Sequence, residues 1–494
     1  MLLLRVQIPR AKRAATVRIL PATLLGGRIP MRKEEEFSDW YNAVIDRAEL
    51  SDKRYPIKGM NVWRPNGWAI MKLIDQAIRE EFDSTGHGEV NFPVLIPETE
   101  FQKEADHVKG FEGDVFWVTR GGLNELDVKL VLRPTSETAM YPMFKLWIRS
   151  HADLPLKVYQ IVPVFRYETK MTRTFMRVRE IHFFEAHTAH ATFEDAEQQI
   201  REYLQINERL LRLLGLPYLI SRRPDWDKFP GAYYSLGSDS LLPSGRALQL
   251  ATFHHYRDNF AKVYDVTYET DTGEHRFVHQ TTDGMSERLL GAMIAIHGDE
   301  KGLVLPPAAA PVQAVVVPIL EKGRQEEMLL EGQRLFLELR ERMRVKLDDR
   351  DLRPGEKYYE WEARGVPLRI ELGPRDLAKR VVTVVRRDTG EKRELPREGL
   401  PDRLRSVLDL MQIAMWNRAE KLMKDNTFTI TSLKDARDGF NRMGWCGKES
   451  CGKAISEKTG MNVLGTPFYP EPFDGTCIVC GEPTKQVVYA AKVY

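Results

Sequence analysis

The chain is 494 residues long, 43% hydrophobic and 29% charged, with 73 basic against 71 acidic side chains and a formal net charge of +2. That length holds about two to four domains of ordinary soluble globular composition. The charge balance excludes a global polyanion-binding signature and leaves nucleic acid to a local basic surface, and no apolar run reaches the roughly 18 residues of a membrane-spanning helix.

Residues 1–33 carry Arg and Lys but no acid, the first being Glu34. Two readings stand: a transit-like presequence, or an extension upstream of a start at Met31, since "MRKEEEFSDWYNAVI" opens an amphipathic helix by itself. On either, residues 1–32 are expected to form a basic, disordered N-terminal extension. Helices are predicted over 37–50 and 66–83; in the second, Trp68, Ile70, Met71, Ile74, Ile78 and Phe82 recur near helical spacing and Gly86 follows its end. Short β-like runs broken by proline follow at 89–97 and 127–134.

The stretch "LRPTSETAMYP" (132–142) sets a hydroxyl and a carboxylate, Thr135 and Glu137, two positions apart beside apolar residues. In extended backbone that spacing points both to one face, as a small cationic ligand with an apolar body would require. A helix cap by Thr135 or Ser136, for a helix through Met140–Ile148, is the alternative. Strands are predicted over 157–168 and 180–190, joined by the loop "TKMTRTFMRV". Arg166 and Glu168 fall on one face of the first, and Arg173, Arg177 and Arg179 follow. So much guanidinium reads either as a solvated hairpin with surface ion pairs or as a polyphosphate site, because the planar donor fork of arginine matches phosphate oxygens. Neither GxxxxGK[ST] nor GxGxxG occurs, so any ATP is bound without a P-loop or a dinucleotide fingerprint.

A helix over 193–214, strands over 246–256, 262–269 and 275–282, and a buried helix over 285–298 complete an α+β unit with an antiparallel sheet. Pro306, Pro307 and Pro311 mark 303–314 as a linker. Strand and helix then alternate (strand 312–320, helix 325–346, strands 366–376 and 380–388), the pattern of a small α/β unit ending near residue 410. The remainder starts helical and ends in Cys446-x4-Cys451 and Cys477-x2-Cys480, which are all the cysteines of the chain. Four thiolates close a tetrahedral Zn²⁺ shell with no open position, a structural site; four reduced cysteines without metal are the alternative. Their clustering points to a reducing compartment.

From about Arg32 to Tyr494 the chain resembles the class II aminoacyl-tRNA synthetases, and among them the prolyl-tRNA synthetases of archaeal/eukaryotic type. "FRYE" with its return strand resembles the second class motif, and "GMSERLLGAMIAIHGDEKGLVLPP" the third, with Arg288 as its arginine. The helix at 66–83 leading to Pro93 resembles the first. "RPTSETAMYP" is similar to the prolyl TxE loop, and "RALQLATFHHYRDNFAKVYD" to its T-[ST]-H-x-x-x-x-N-F segment. The resemblance implies a class II catalytic domain at 33–308, an anticodon-binding domain at 309–410 and a small zinc-bearing α+β domain at 411–494. It implies a cytoplasmic ligase joining L-proline to tRNA(Pro) through prolyl-adenylate, with ATP and Mg²⁺, as a homodimer built on the first motif.

By the same resemblance Thr135 and Glu137 receive the proline ammonium with His254 beside them, and Arg166 holds the carboxylate and α-phosphate. Arg177 and Arg288 grip the outer phosphates, Gln249, Thr252 and Ser286 contact ribose or phosphate, and Glu168 orients ATP. Arg166, Glu168 and Arg288 are thus the expected catalytic residues; Cys446, Cys451, Cys477 and Cys480 hold zinc. Lys357, Trp361, Glu362, Arg369, Glu371 and Arg375 line up with the anticodon domain, where Arg, Glu and an aromatic suit unstacked bases. Two departures stand out: Ile181 aligns where relatives stack a Phe on adenine, and "YYSLGSDSLLPSGRALQ" lacks the usual acid before its apolar pair. About 100 residues separate Glu185 from Gly284, which leaves no room for the editing insertion of bacterial relatives. The rival readings are a glycyl-, threonyl- or seryl-specific synthetase, and a synthetase-like protein that binds tRNA or an amino acid without catalysis.

Overall fold

The computed structural model describes Lys33 and residues 35–105 and 113–494; the expected extension over 1–32 lies outside the described residues. Helix α1 (Phe37–Arg47) buries Trp40, Tyr41 and Val44. Helix α2 (Pro65–Ser84) starts on a proline, whose missing N–H would be unpaired there anyway, and buries Ile70, Ile74, Ile78 and Phe82. Helix α3 (Glu137–Trp147) follows the Thr135 loop. Then come β1 (Leu156–Phe165) and β2 (Glu180–His190), and α4 (Phe193–Leu213), whose N-cap Thr192 accepts from the Asp195 N–H. Strands β3 (Leu219–Arg222), β4 (Tyr234–Leu241), β5 (Ala247–Arg257) and β6 (His279–Ser286) and helix α5 (Arg288–His297) complete the unit.

Strands β3-β4-β5-β6-β2-β1 run side by side, antiparallel throughout. The largest hydrophobic core packs α1, α2, α4 and α5 against one face of this sheet, which leaves the other face to the cleft. The strand expected at 262–269 divides into a helix at Asn259–Tyr264 and a strand at Thr267–Glu269. Asp265 separates them in the left-handed region at φ 55°, a conformation aspartate tolerates better than most.

Beyond the proline linker, β7 (Ala314–Pro318), α6 (Gln325–Arg340), β8 (Val345–Leu347), α7 (Pro354–Ala363), β9 (Leu368–Leu372), β10 (Val381–Arg386) and β11 (Lys392–Pro396) form a five-stranded sheet in the order β8-β7-β9-β10-β11. The helix expected to 346 stops at Arg340. Met343 keeps the apolar rhythm and enters the same core from a turn, so the sequence pattern outruns the helix. Helix α8 (Leu400–Asp425) is continuous through the expected boundary at 410/411.

The C-terminal stretch supplies β12 (Phe440–Gly444), α9 (Glu449–Thr459), β13 (Asn462–Pro467) and β14 (Val487–Ala491). Strand β13 pairs with β3 through Thr466 and Pro467, so the catalytic sheet and the C-terminal strands make one sheet of eleven. Gly465, at φ 125°, allows this: a Cβ there would lie 2.0 Å from the Arg222 carbonyl oxygen.

Candidate active site

The exposed face of the sheet floors a cleft of about 620 Å³. Ile181, Phe183, Glu185 and His187 alternate along β2 and all line it, as the period of two requires. The register sets Glu185 opposite Gly284 and Gly284 opposite Thr252; one row on, His187, Thr282 and His254 align. Gln249 has the wrong parity to share a face with Thr252 and His254. A bulge in the β4–β5 pairing, where Ser238 meets Ala251 and Asp239 meets Gln249, inserts the extra residue that brings it round. Thr135, Glu137, Arg166, Glu168, Arg177, Gln249, Thr252, His254, Ser286 and Arg288 therefore all line one cleft.

The Thr135 loop is a turn into α3 and not an extended strand. Ser136 occupies the N-cap position, but its side chain makes no cap bond and reaches Glu185 instead. Thr135 Oγ1 donates to Glu137 Oε2 at 2.6 Å, and Tyr256 OH donates to Glu137 Oε1 at 2.9 Å. Glu137 is 2% exposed, so its carboxylate faces the cleft with little water, a setting that suits a cationic partner. His254 accepts from or donates to Ser235 Oγ at 2.7 Å and lies against Phe229; burial holds its pKa down at about 3, so the ring is neutral near pH 7.

Arg166 and Glu168 sit just past the end of β1. Arg166 Nε donates to the Pro134 carbonyl at 3.2 Å, which ties it to the Thr135 loop, and its guanidinium lies 5.9 Å from the centroid of Phe183. Arg177 pairs with Glu168 at 3.2 Å and donates to the main-chain oxygen of Tyr494 at 2.8 Å. Arg288, at the start of α5, donates to the Met176 carbonyl at 2.8 Å and to that of Gln249 at 3.4 Å. Burial first, then the like charges of Arg166 and Arg177, push the Arg288 pKa down to about 10. Three guanidiniums repelling one another in a cleft suit a polyanion between them. Arg173 and Arg179 are used elsewhere, on Ser38 and on the Glu168 carbonyl.

Sequence reasoning passed over Phe183, His187 and Tyr256, and it used Glu185 only as a landmark. The strand alternation around Ile181 places Phe183, Glu185 and His187 in the cleft; Tyr256 had no local signal. The four cysteine Sγ atoms lie within 4.8 Å of one another, and those of Cys446 and Cys480 are 3.8 Å apart. The edge of a tetrahedron with Zn–S bonds of about 2.3 Å is about 3.8 Å, so the cluster fits a metal of that size.

Of the anticodon candidates, Lys357 does not reach the surface. It is 1% exposed and its ammonium donates to the Asp348 carbonyl at 3.0 Å, while Trp361 Nε1 donates to the Asp348 carboxylate at 2.8 Å. Helix amphipathicity turned both inward. Arg369 bridges Glu362 at 2.8 Å and Glu371 at 3.0 Å.

Three family patterns match the chain in order: the tRNA synthetase class II core domain (G, H, P, S and T) over residues 116–297, an anticodon binding domain over 313–407, and the prolyl-tRNA synthetase C-terminal domain over 431–494. The proline–tRNA ligase of Thermococcus kodakarensis is 54% identical over 473 residues, covering 93% of this chain and 98% of its own. That of Pyrococcus horikoshii is 54% identical over 476 residues, covering 94% and 99%. Among solved structures, the Giardia lamblia prolyl-tRNA synthetase in complex with prolyl-adenylate superposes with a TM-score of 0.90 at 35% identity, over 95% of this chain and 100% of that one.

Proposed function

The chain belongs to the prolyl-tRNA synthetases, and from that premise we propose how its cleft performs the reaction. The enzyme ligates L-proline to tRNA(Pro) at the expense of ATP, through prolyl-adenylate. One observation carries the residue assignment: a buried acid–hydroxyl pair, Glu137 and Thr135, lies beside a cluster of Arg166, Arg177 and Arg288 in one cleft.

Glu137 and Thr135 bind the proline ammonium, and the faces of Phe183, Phe229 and His254 pack on the ring. Arg166 holds the carboxylate against the α-phosphate. A carboxylate oxygen attacks the α-phosphorus, the bond to the β-phosphate oxygen breaks, and pyrophosphate leaves. Arg166 offsets the charge that grows on the α-phosphate, and alignment of the two reactants supplies much of the rate. Arg177 and Arg288 hold the outer phosphates, Glu168 fixes Arg177, and Gln249, Thr252 and Ser286 reach ribose or phosphate. Adenine rests on Ile181 and Arg288. Mg²⁺ bound to the incoming ATP would neutralise part of the phosphate charge. A terminal hydroxyl of the tRNA adenosine then attacks the prolyl carbonyl and AMP leaves. No side chain is a covalent nucleophile.

The division at 33–308, 309–410 and 411–494 is retained as a functional one, with α8 as a continuous strut between the last two. Glu362 and Arg369 meet the anticodon, and the buried Glu371 holds Arg369 in place at 3.0 Å. Zn²⁺ held by Cys446, Cys451, Cys477 and Cys480 is structural. A homodimer forms through the first-motif segment, which exposes Trp68 on α2 and, beside Pro93, a groove lined by the exposed Leu95 and Trp147. Among the described residues no helix is long and apolar enough to cross a membrane; free thiols suit the reducing cytoplasm. Mass-spectrometric detection of prolyl-adenylate after incubation with proline and ATP, without tRNA, tests the first step; its absence with folded protein overturns the assignment.

A further inference from the structure

Thr135 is shared between two acids. Its Oγ1 lies 2.6 Å from Glu137 Oε2 and 3.2 Å from Glu185 Oε2, yet a hydroxyl has a single proton and serves one acceptor at a time. Glu185 is the more firmly held of the two acids. Its Oε2 accepts from the Ser136 N–H at 3.1 Å and faces His187 Nε2 at 3.2 Å; its Oε1 accepts from Ser136 Oγ and, at 2.9 Å, from Gln160 Nε2. Gln160 is oriented in turn, because its Oε1 accepts from the Phe92 N–H at 2.9 Å. Ser136, Gln160, Glu185 and His187 are all 2% exposed or less, so this is a rigid buried frame and not a solvated cluster.

Charge completes the picture. Burial alone would raise the Glu185 pKa, but the hydrogen bond and charge of His187, with Ser136 and Gln160, outweigh it and hold the carboxyl well below its usual range. Burial likewise opposes a charged His187, and Glu185 with Glu137 reverses it, so the imidazole pKa is raised. Glu185 thus has its own donors behind the loop, whereas Glu137 meets only the hydroxyls of Thr135 and Tyr256.

We propose that Glu185 is a positioning residue for amino-acid recognition, acting through Thr135: it accepts a hydrogen bond from the Thr135 hydroxyl when substrate binds, so that Thr135 offers its lone pairs to the ammonium. The inference rests on the reading of this cleft as a proline site. A secondary ammonium has two N–H bonds. One takes the Glu137 oxygen that Thr135 occupies in the ligand-free protein, and this displaces the hydroxyl, since a charged donor makes the stronger bond. The freed hydroxyl turns to Glu185, the other acid within reach, and its oxygen accepts the second N–H. No proton leaves the threonine oxygen; only the hydroxyl rotates. Without Glu185 the displaced hydroxyl proton would be buried and unpaired, and Thr135 would meet the ammonium donor to donor.

A double-mutant cycle in proline-dependent pyrophosphate–ATP exchange tests this. Thr135→Val and Glu185→Gln are each expected to raise the KM for proline about tenfold or more, with the KM for ATP within about twofold of wild type. The double variant is expected to match Thr135→Val alone within about twofold, because both changes remove one interaction. Both oxygens of Glu185 face donors, so the Gln variant can misfold; Glu185→Asp keeps the charge, withdraws the carboxylate from Thr135 by one methylene and should show the same non-additivity. Losses that multiply in the double variants, or a KM for ATP that rises with that for proline, overturn the inference. Absence of exchange in the wild-type protein would instead overturn the proline reading itself.

Discussion

Arg166 illustrates how single residues divide between chemistry and architecture. Its guanidinium is anchored by one bond to the Pro134 carbonyl, which leaves the rest of its donors for substrate. Arg166→Ala is expected to lower proline-dependent exchange by the equivalent of about 3–4 kcal/mol, with the circular dichroism melt unchanged; near-wild-type exchange would remove the residue from the mechanism. Glu287 makes a different prediction. Burial raises its carboxyl from 4.5 to about 8, against the His182 N–H and the Arg288 charge. The native state therefore binds more protons than the unfolded chain across that window, and stability falls as pH rises through it. Glu287→Gln, with nothing to ionise, should flatten the dependence, so that the variant gains on wild type in urea midpoint between about pH 5.5 and 8.5. A gain that is equal at both pH values contradicts the shift. Thr135, Glu137, Arg166 and Arg288 were legible in the sequence because each sits in a short motif. Glu185 and Tyr256 were not, since what brings them to Thr135 and Glu137 is register across strands distant in the chain, and Lys357 was misplaced because a charged residue's partner inside a domain leaves no local trace.

At the scale of elements, the cleft depends on close approaches at positions that carry no catalytic group of their own. Gly291 in α5 packs on the arginine loop, where a Cβ would lie 2.6 Å from the Phe175 carbonyl oxygen. The next residue of that loop, Met176, offers the carbonyl that holds Arg288, and Arg177 follows it. Gly291→Ala must push the loop off the helix. It is expected to cost about 1–3 kcal/mol of stability and to raise the KM for ATP more than that for proline, since the loop borders the phosphate end. Equal changes in both would place the strain elsewhere. Helices α2, α4 and α5 were readable from apolar spacing, as were most strands from alternation. The end of α6 and the helix at Asn259–Tyr264 were not, because a turn residue in a left-handed conformation or a buried residue outside the helix leaves the apolar rhythm unbroken.

In the whole molecule the C-terminal unit is not an appendage. It extends the catalytic sheet through β13, and Leu464 and Tyr494 line the cleft, the Leu464 carbonyl accepting from Arg223 at 2.6 Å. Protein purified without chelators is expected to carry about one zinc per chain, and Cys446→Ser to lose it. Because the sheet is shared, the variant should also lose part of its exchange activity; metal-free wild-type protein with full activity would contradict this. The fold also bears on fidelity. Residues between β2 and β6 form α4, β3, β4, β5, the Asn259–Tyr264 helix and the paired strands Thr267–Glu269 and His275–Phe277, whose apolar residues join the two cores of the catalytic unit. Alanine fits a pocket shaped for proline and is rejected only by lost apolar contact, about 1–3 kcal/mol per methylene. Alanine-dependent ATP consumption and persistent Ala-tRNA are expected with this enzyme alone; rapid hydrolysis of added Ala-tRNA would reveal a second active site. That one cleft both selects proline and activates it with ATP is checked by pyrophosphate–ATP exchange measured with proline, glycine, serine and threonine in parallel. Exchange is expected to depend on proline and to stay at background with the other three, whereas exchange driven equally by any of those, or absent with proline, would contradict a proline-selective cleft.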